Sequence, residues 1–140
     1  YVEMQWLMLQ QEKPVDYVIA TGQQVSVRDF INIACEFLGI RLKWEGSGIH
    51  EKGIIQDIST NHNEHIKKGD VLIQVDERYF RPAEVETLLG DPSKAKKDLG
   101  WAPKIKLKDM IKEMIEHDLD QSKRMQLLKS SGFEVNLDKE

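Results

Sequence analysis

The spacing of the apolar residues changes at Gly39 from the period of a helix to the period of a strand. Before it, Ser26 is a candidate N-cap, Asp29 completes an imperfect capping box, and apolar residues recur every three or four positions. Gly39 can take the positive φ that often ends a helix. After it, residues 40–45 alternate apolar and charged side chains, which is typical of a half-buried strand. These patterns predict a helix that leads directly into a strand.

Other short elements are predicted on both sides of this unit. Helices are predicted at 2–9, 91–100 and 107–128, and strands at 17–20, 53–58, 71–75 and 86–89. The strand at 53–58 lies inside an otherwise polar loop excursion at 46–70. Asp91 is a suitable cap for the second of these helices, and Pro92 suits its first position. The fold class is therefore α/β. Four or five short strands in small groups do not make a complete doubly wound sheet, so we expect some elements to pack on a neighbour.

Composition limits the classes of function. The chain has 140 residues and a net charge of −4, and the negative sign argues against a general nucleic-acid binder. It has no apolar run long enough to span a membrane. The single cysteine, Cys35, cannot form an internal disulfide and fits a buried helical position, which agrees with a cytoplasmic protein.

The first residues run straight into helical spacing at Val2, Trp6 and Leu9, without an initiator Met or an N-cap residue ahead of them. They have no basic segment or cleavage site of a signal peptide. We therefore expect residues 1–140 to be one domain of a longer protein. Within it, residues 1–39 are expected to pack on a part of that protein that this sequence does not contain.

Charged and aromatic side chains are densest between Asp76 and Val85. Pro82 disfavours a helical conformation at Arg81 and suits the second position of a turn, which would bring Arg81 close to Glu84. A guanidinium can bind phosphate oxygens in a bidentate manner, and a carboxylate accepts hydrogen bonds from ribose hydroxyls. The pair therefore matches a nucleoside diphosphate. The alternative is a surface ion pair worth about 0 to 1 kcal/mol.

The sequence around this turn resembles the C-terminal region of extended short-chain dehydrogenase/reductases that act on nucleotide sugars. The matching runs are RPAEV (81–85), GDPSKA (90–95) and LGW (99–101), followed by Pro103. The longer runs YVEMQWLMLQ (1–10), VIATG (18–22), SVRDF (26–30) and VDERYFRPAEVE (75–86) resemble the GDP-mannose 4,6-dehydratase family in particular. This resemblance covers nearly the whole chain.

The resemblance implies a fold, a ligand and site residues. It implies that Arg81 contacts the pyrophosphate of GDP-mannose and that Glu84 contacts the ribose hydroxyls. Arg78 and Tyr79 either line the nucleotide pocket or brace the turn. The family converts GDP-mannose to GDP-4-keto-6-deoxymannose with a tightly held NADP, and its members are usually dimers or tetramers.

The residues that carry the family's chemistry have no counterpart in this sequence. No Gly-x-Gly-x-x-Gly follows a predicted strand, and Tyr1, Tyr17 and Tyr79 are not followed by Lys four residues later. We therefore expect substrate binding alone, with the catalytic residues and NADP in an absent N-terminal half. A stand-alone nucleotide-sugar-binding or interaction module is the alternative.

The four histidines are the remaining candidates for a functional site. His62 and His65 have a spacing that suits a metal on a helix or turn, but the surrounding segment is polar and has no cysteine. We expect solvated loop histidines and no metal site.

Overall fold

The computed structural model describes residues 1–59, 65–81, 83, 85 and 87–133. Its helices are α1 (Val2–Leu9), α2 (Val27–Phe37), α3 (Ser93–Leu99) and α4 (Leu107–Ser130), its strands are β1 (Ile40–Glu45), β2 (Lys52–Ile58) and β3 (Val71–Gln74), and two short 3₁₀ turns lie at Gly48–His50 and Glu77–Tyr79. This is a small α/β fold. None of these helices within the described residues is long and apolar enough to cross a membrane.

The three strands form an antiparallel sheet in the order β1-β2-β3. The strand predicted at 53–58 is thus confirmed, and it is the central strand of the sheet. In the register, Leu42 lies opposite Ile55 and Gly53 lies opposite Ile73. A Cβ added at Gly53 would lie 3.2 Å from the Cβ of Ile73. The glycine therefore allows β3 to approach β2 closely.

Helix α2 covers one face of this sheet, and its two ends are as predicted. The Ser26 side chain accepts from the Asp29 amide, the Asp29 side chain accepts from the Ser26 amide, and Gly39 has a φ of 68°. The core joins Cys35, Ile40 and Ile55 to partly buried residues, namely Ile31, Leu38, Leu42, Ile58 and Ile66. Burial also raises the pKa of the Cys35 thiol. We call α2 with β1–β3 the sheet region.

Helix α4 packs against α2. Ile111 is 1% exposed, and the Lys108 ammonium lies 3.2 Å from a Glu36 carboxylate oxygen and 5.6 Å from the centre of the Phe37 ring. The predicted amphipathic helix is therefore confirmed, and its apolar side is only partly covered, since Met110 and Met114 remain about half exposed.

The remaining elements form what we call the α1–α3 region: α1, α3 and the segments 14–22 and 87–92. Contacts between residues distant in sequence join α3 to the segment 14–22. The Lys94 ammonium donates to the Asp16 carbonyl at 2.9 Å and lies 5.0 Å from the centre of the Tyr17 ring. Ala95 of α3 and Met4 of α1 are fully buried.

The start of α3 also lies in this region. An Asp91 carboxylate oxygen accepts from the Ser93 amide at 2.9 Å, although the N-cap residue of the helix is Pro92 rather than the predicted Asp91. The helix itself begins at Ser93 rather than at Pro92. It ends at Gly100, as predicted, in the left-handed conformation.

Two predicted strands are wrong. Residues 17–20 and the described residues of the segment 86–89 belong to no strand. They nevertheless pass close together, because a Cβ added at Gly90 would lie 2.6 Å from the Cβ of Ala20 and 3.2 Å from Cγ1 of Val18. Their β-branched and apolar residues favour extended backbone, but a strand also needs a ladder of backbone hydrogen bonds. The described residues make no such ladder here.

Candidate functional site

The segment predicted as the binding site follows β3 and begins with a tight turn. Its central 3₁₀ turn spans Glu77–Tyr79. The Tyr79 amide donates to the Asp76 carbonyl at 3.0 Å, and the Phe80 amide donates to the Glu77 carbonyl at 3.3 Å. An Asp76 carboxylate oxygen accepts from the Arg78 amide at 2.9 Å. Local hydrogen bonds therefore shape the backbone that leads to Arg81.

The side chain of Arg78 is paired within this turn. Its Nε lies 3.1 Å from each carboxylate oxygen of Asp76, and its Nη2 lies 2.6 Å from Oδ2. The guanidinium also lies 5.4 Å from the centre of the Tyr79 ring. Hydrogen bonds from Arg78 hold the pKa of Asp76 below its ordinary value. These contacts are those of a brace for the turn, and a role in lining a nucleotide pocket stays a prediction.

Arg81 differs from Arg78 in its surroundings. It is exposed, and among the residues that the structure describes it has no hydrogen-bond or ion-pair partner. Pro82 and Glu84 lie outside the described residues, so the predicted turn from Arg81 to Glu84 stays a prediction. The structure thus shows a solvent-accessible guanidinium directly after a braced turn.

The turn between β1 and β2 supports this segment. The Val75 amide donates to the Glu51 carbonyl at 3.4 Å. A Cβ added at Gly48 would lie 3.8 Å from Cζ of Phe80, so the Phe80 ring lies against the 3₁₀ turn Gly48–His50. These contacts join the candidate site to the sheet region.

Sequence reasoning missed the side chains that join this turn to α2. Both Nε and Nη2 of Arg28 donate to Oε1 of Glu51, at 2.9 and 2.5 Å. The Arg28 guanidinium also lies 5.3 Å from the centre of the Trp44 ring. The two charged residues are 23 positions apart, and no periodic pattern predicts such a pair.

An open groove of about 500 Å³ lies between α2 and β1. Its polar lining is largely paired with other protein groups. Asn32 accepts from the Trp44 indole at 2.9 Å, Glu36 pairs with Lys108, and the Ser59 hydroxyl donates to the Gly39 carbonyl at 3.0 Å. The first contact joins α2 to β1, the second joins α2 to α4, and the third joins the residue after β2 to the residue before β1.

The three histidines that the structure describes lie in different segments of the chain. His50 ends a 3₁₀ turn, His65 is exposed, and His117 lies 2.8 Å from the Gln121 side chain on α4. His62 lies outside the described residues. In the described part of the chain, no group of three or more His, Cys, Asp or Glu residues has an arrangement that could hold a metal ion.

Comparison with known proteins identifies the family. The family model described as GDP-mannose 4,6 dehydratase matches residues 1–114. A GDP-mannose 4,6-dehydratase of Yersinia enterocolitica is 52% identical over 137 residues, and one of Vibrio cholerae is 53% identical over 137 residues; each match covers 98% of this chain and 37% of the relative. GDP-mannose 4,6 dehydratase 2 of Caenorhabditis elegans is 49% identical over 119 residues, which are 85% of this chain and 28% of the relative.

The small α/β chain, with the exposed Arg81 after its braced turn, therefore falls in the class of proteins that this family model describes. It belongs to the GDP-mannose 4,6-dehydratase family, as the resemblance implied. It spans about 37% of the length of the bacterial relatives.

Proposed function

We propose that this chain is the C-terminal, substrate-binding portion of a GDP-mannose 4,6-dehydratase, an extended short-chain dehydrogenase/reductase. The observation that carries the proposal is Arg81, which is exposed and without a partner among the described residues in a chain whose relatives are named for GDP-mannose. A neighbouring arginine, Arg78, is already paired with Asp76. Among the described residues, Arg81 is thus the one of these two guanidiniums that has no protein partner.

Arg81 and Glu84 have complementary roles in this proposal. The planar guanidinium of Arg81 donates two parallel hydrogen bonds to the diphosphate of GDP-mannose. The carboxylate of Glu84 accepts hydrogen bonds from the ribose hydroxyls. Tyr79 is 77% exposed and contributes apolar contact with the nucleotide, while Arg78 holds the turn beneath it.

The residues of this chain do not fit a dinucleotide cofactor. A Rossmann site needs a Gly-rich loop between a parallel strand and a helix. The sequence has no such motif, and the strands of the described residues form an antiparallel sheet. We therefore assign NADP binding to the part of the dehydratase that lies outside this chain. The conversion of GDP-mannose to GDP-4-keto-6-deoxymannose is assigned to the same part.

The α1–α3 region is the proposed contact with that part. Three apolar side chains of α1 are more than half exposed, namely Val2 (78%), Trp6 (59%) and Leu9 (81%). Their spacing places them on one face of α1, and an exposed apolar face of this kind marks an interaction site. We expect residues 1–39 to dock on the dinucleotide-binding half, in a cytoplasmic enzyme that assembles as a dimer or tetramer.

The test is GDP-mannose binding by the full-length dehydratase that contains this segment. Arg81→Ala should weaken binding by about 1.5 to 3 kcal/mol, the scale of a lost charge-assisted hydrogen bond, or about 10- to 150-fold in Kd. Isothermal titration calorimetry measures this change. Arg124→Ala is the matched control, because Arg124 pairs with Asp120 on α4 and should leave Kd unchanged. Equal affinity of the Arg81 variant and the wild type for GDP-mannose would contradict the assignment of Arg81 to the binding site.

A further inference from the structure

The loop that carries Arg81 rests on the turn between β1 and β2. Its first residue, Val75, donates its amide to the Glu51 carbonyl. Near its other end, the Phe80 ring lies against Gly48, and Arg81 follows Phe80 directly. The backbone position of Arg81 therefore depends on where residues 48–51 are held.

The side chain of Glu51 holds that turn on α2. It accepts two hydrogen bonds from Arg28, and its side chain is only 23% exposed, compared with 51% for Arg28. Partial burial reduces the solvent screening that makes most surface ion pairs weak. This pair is therefore better placed to fix a backbone position than a fully exposed pair.

Arg28 is itself oriented by the elements around it. It lies in the first turn of α2, between the capping-box residues Ser26 and Asp29. Its guanidinium lies over the Trp44 ring, and the Trp44 indole is tied back to α2 through Asn32. The Arg28 side chain is thus restrained by its position in the helix, by the aromatic ring and by Glu51.

We propose that Arg28 and Glu51 are positioning residues for the nucleotide-sugar site. The pair fixes the β1–β2 turn on α2, the turn holds Val75 and Phe80, and these residues present Arg81 in a binding-ready position before the ligand arrives. Neither residue touches the ligand in this arrangement. If the loop is already ordered in the free protein, it loses less conformational entropy when the ligand binds, and the affinity is higher. The inference rests on the proposed function, because it requires Arg81 to bind the diphosphate.

The experiment measures Kd for GDP-mannose in the full-length dehydratase carrying Arg28→Ala, Arg28→Lys or Glu51→Gln. We expect Kd to rise about 3- to 10-fold in Arg28→Ala, since lost preorganisation of a few side chains has this scale. The lysine and glutamine variants keep most of the packing and should show a smaller rise in Kd. They replace the alanine variant in the test if that variant cannot be produced. Lys43→Ala is the matched control, because the exposed Lys43–Glu45 pair lies on the same hairpin and its loss should leave Kd unchanged.

A double-mutant cycle separates positioning through the pair from general destabilisation. Arg28→Ala and Glu51→Ala should each raise Kd, and the double variant should raise it no further than the larger single effect, because the two residues act as one unit. Independent, multiplying effects would overturn the pair mechanism. A melting temperature that falls with an unchanged Kd would show a structural role only and would overturn the inference.

The Arg81 variant distinguishes the two proposals. If Arg81→Ala weakens binding while Arg28→Ala and Glu51→Ala do not, the positioning role is wrong and the proposed function stands. If Arg81→Ala also leaves Kd unchanged, the proposed function fails, and the inference that rests on it fails as well.

Discussion

The sheet region closes a core of its own, whereas the α1–α3 region leaves large apolar side chains in solvent. In the sheet region, Cys35, Ile40 and Ile55 are between 1% and 6% exposed. In the α1–α3 region, Leu88 is 78% exposed and Leu89 is 57% exposed, and Leu9 of α1 is 81% exposed. The sheet region thus holds a buried cluster of its own, and the exposed side chains of the α1–α3 region support the proposal that this region docks on another part of the protein.

The sequence distance of the contacts differs in the same way. Arg28 and Glu51 of the sheet region are 23 residues apart. Lys94 and Asp16, which hold the α1–α3 region, are 78 residues apart, and Lys104 and Glu3 are 101 residues apart. Closing long loops costs more conformational entropy than closing short ones, so we expect the α1–α3 region to depend more strongly on packing partners.

The largest effect on stability is expected from Ile55→Ala. Ile55 is 1% exposed at the centre of the sheet region, and a buried Ile→Ala change of this kind costs about 2 to 5 kcal/mol. Denaturant unfolding measures the loss. Ile105→Ala is the control, because Ile105 is 69% exposed and its truncation should change the free energy of unfolding by less than about 0.5 kcal/mol. Similar losses at both positions would contradict a closed core in the sheet region.

A smaller loss is expected from Gly90→Ala in the α1–α3 region. The added Cβ would lie 2.6 Å from the Cβ of Ala20, so the segments 14–22 and 87–92 must separate, at a cost of about 1 to 3 kcal/mol. Adding Ala20→Gly removes the nearest clashing atom and should recover part of the loss. A Gly90→Ala variant with unchanged stability would show that these segments do not pack as described.

The smallest of these effects is expected at the start of α2. Ser26→Ala removes the side chain that accepts from the Asp29 amide at 3.0 Å, and loss of an N-cap costs about 1 kcal/mol. Ser26→Thr keeps a capping hydroxyl and should retain most of the stability. Thermal unfolding of the two variants, compared side by side, tests this contact. A loss of equal size in both would show that the cap is not its cause.

Much of the sheet region was predictable because its signals are local. The capping box of Ser26 and Asp29, the positive φ of Gly39 and the alternation in residues 40–45 each depend on a few neighbouring residues. The same is true of Asp91 and Gly100 at the ends of α3. The strands predicted at 17–20 and 86–89 failed because β-branched and apolar residues favour extended backbone without specifying a hydrogen-bonding partner.

The same distinction between local signals and tertiary contacts applies to the candidate site. The spacing of Arg81, Pro82 and Glu84 predicts a turn that matches a nucleoside diphosphate, because residue chemistry and spacing depend on neighbouring residues, and this binding role stays a prediction. Which arginine is paired, and that Arg28 and Glu51 support the loop, became apparent only in the folded chain. Contacts of this kind depend on the tertiary packing of α2, the β1–β2 turn and the loop after β3. No local pattern of residues specifies that packing.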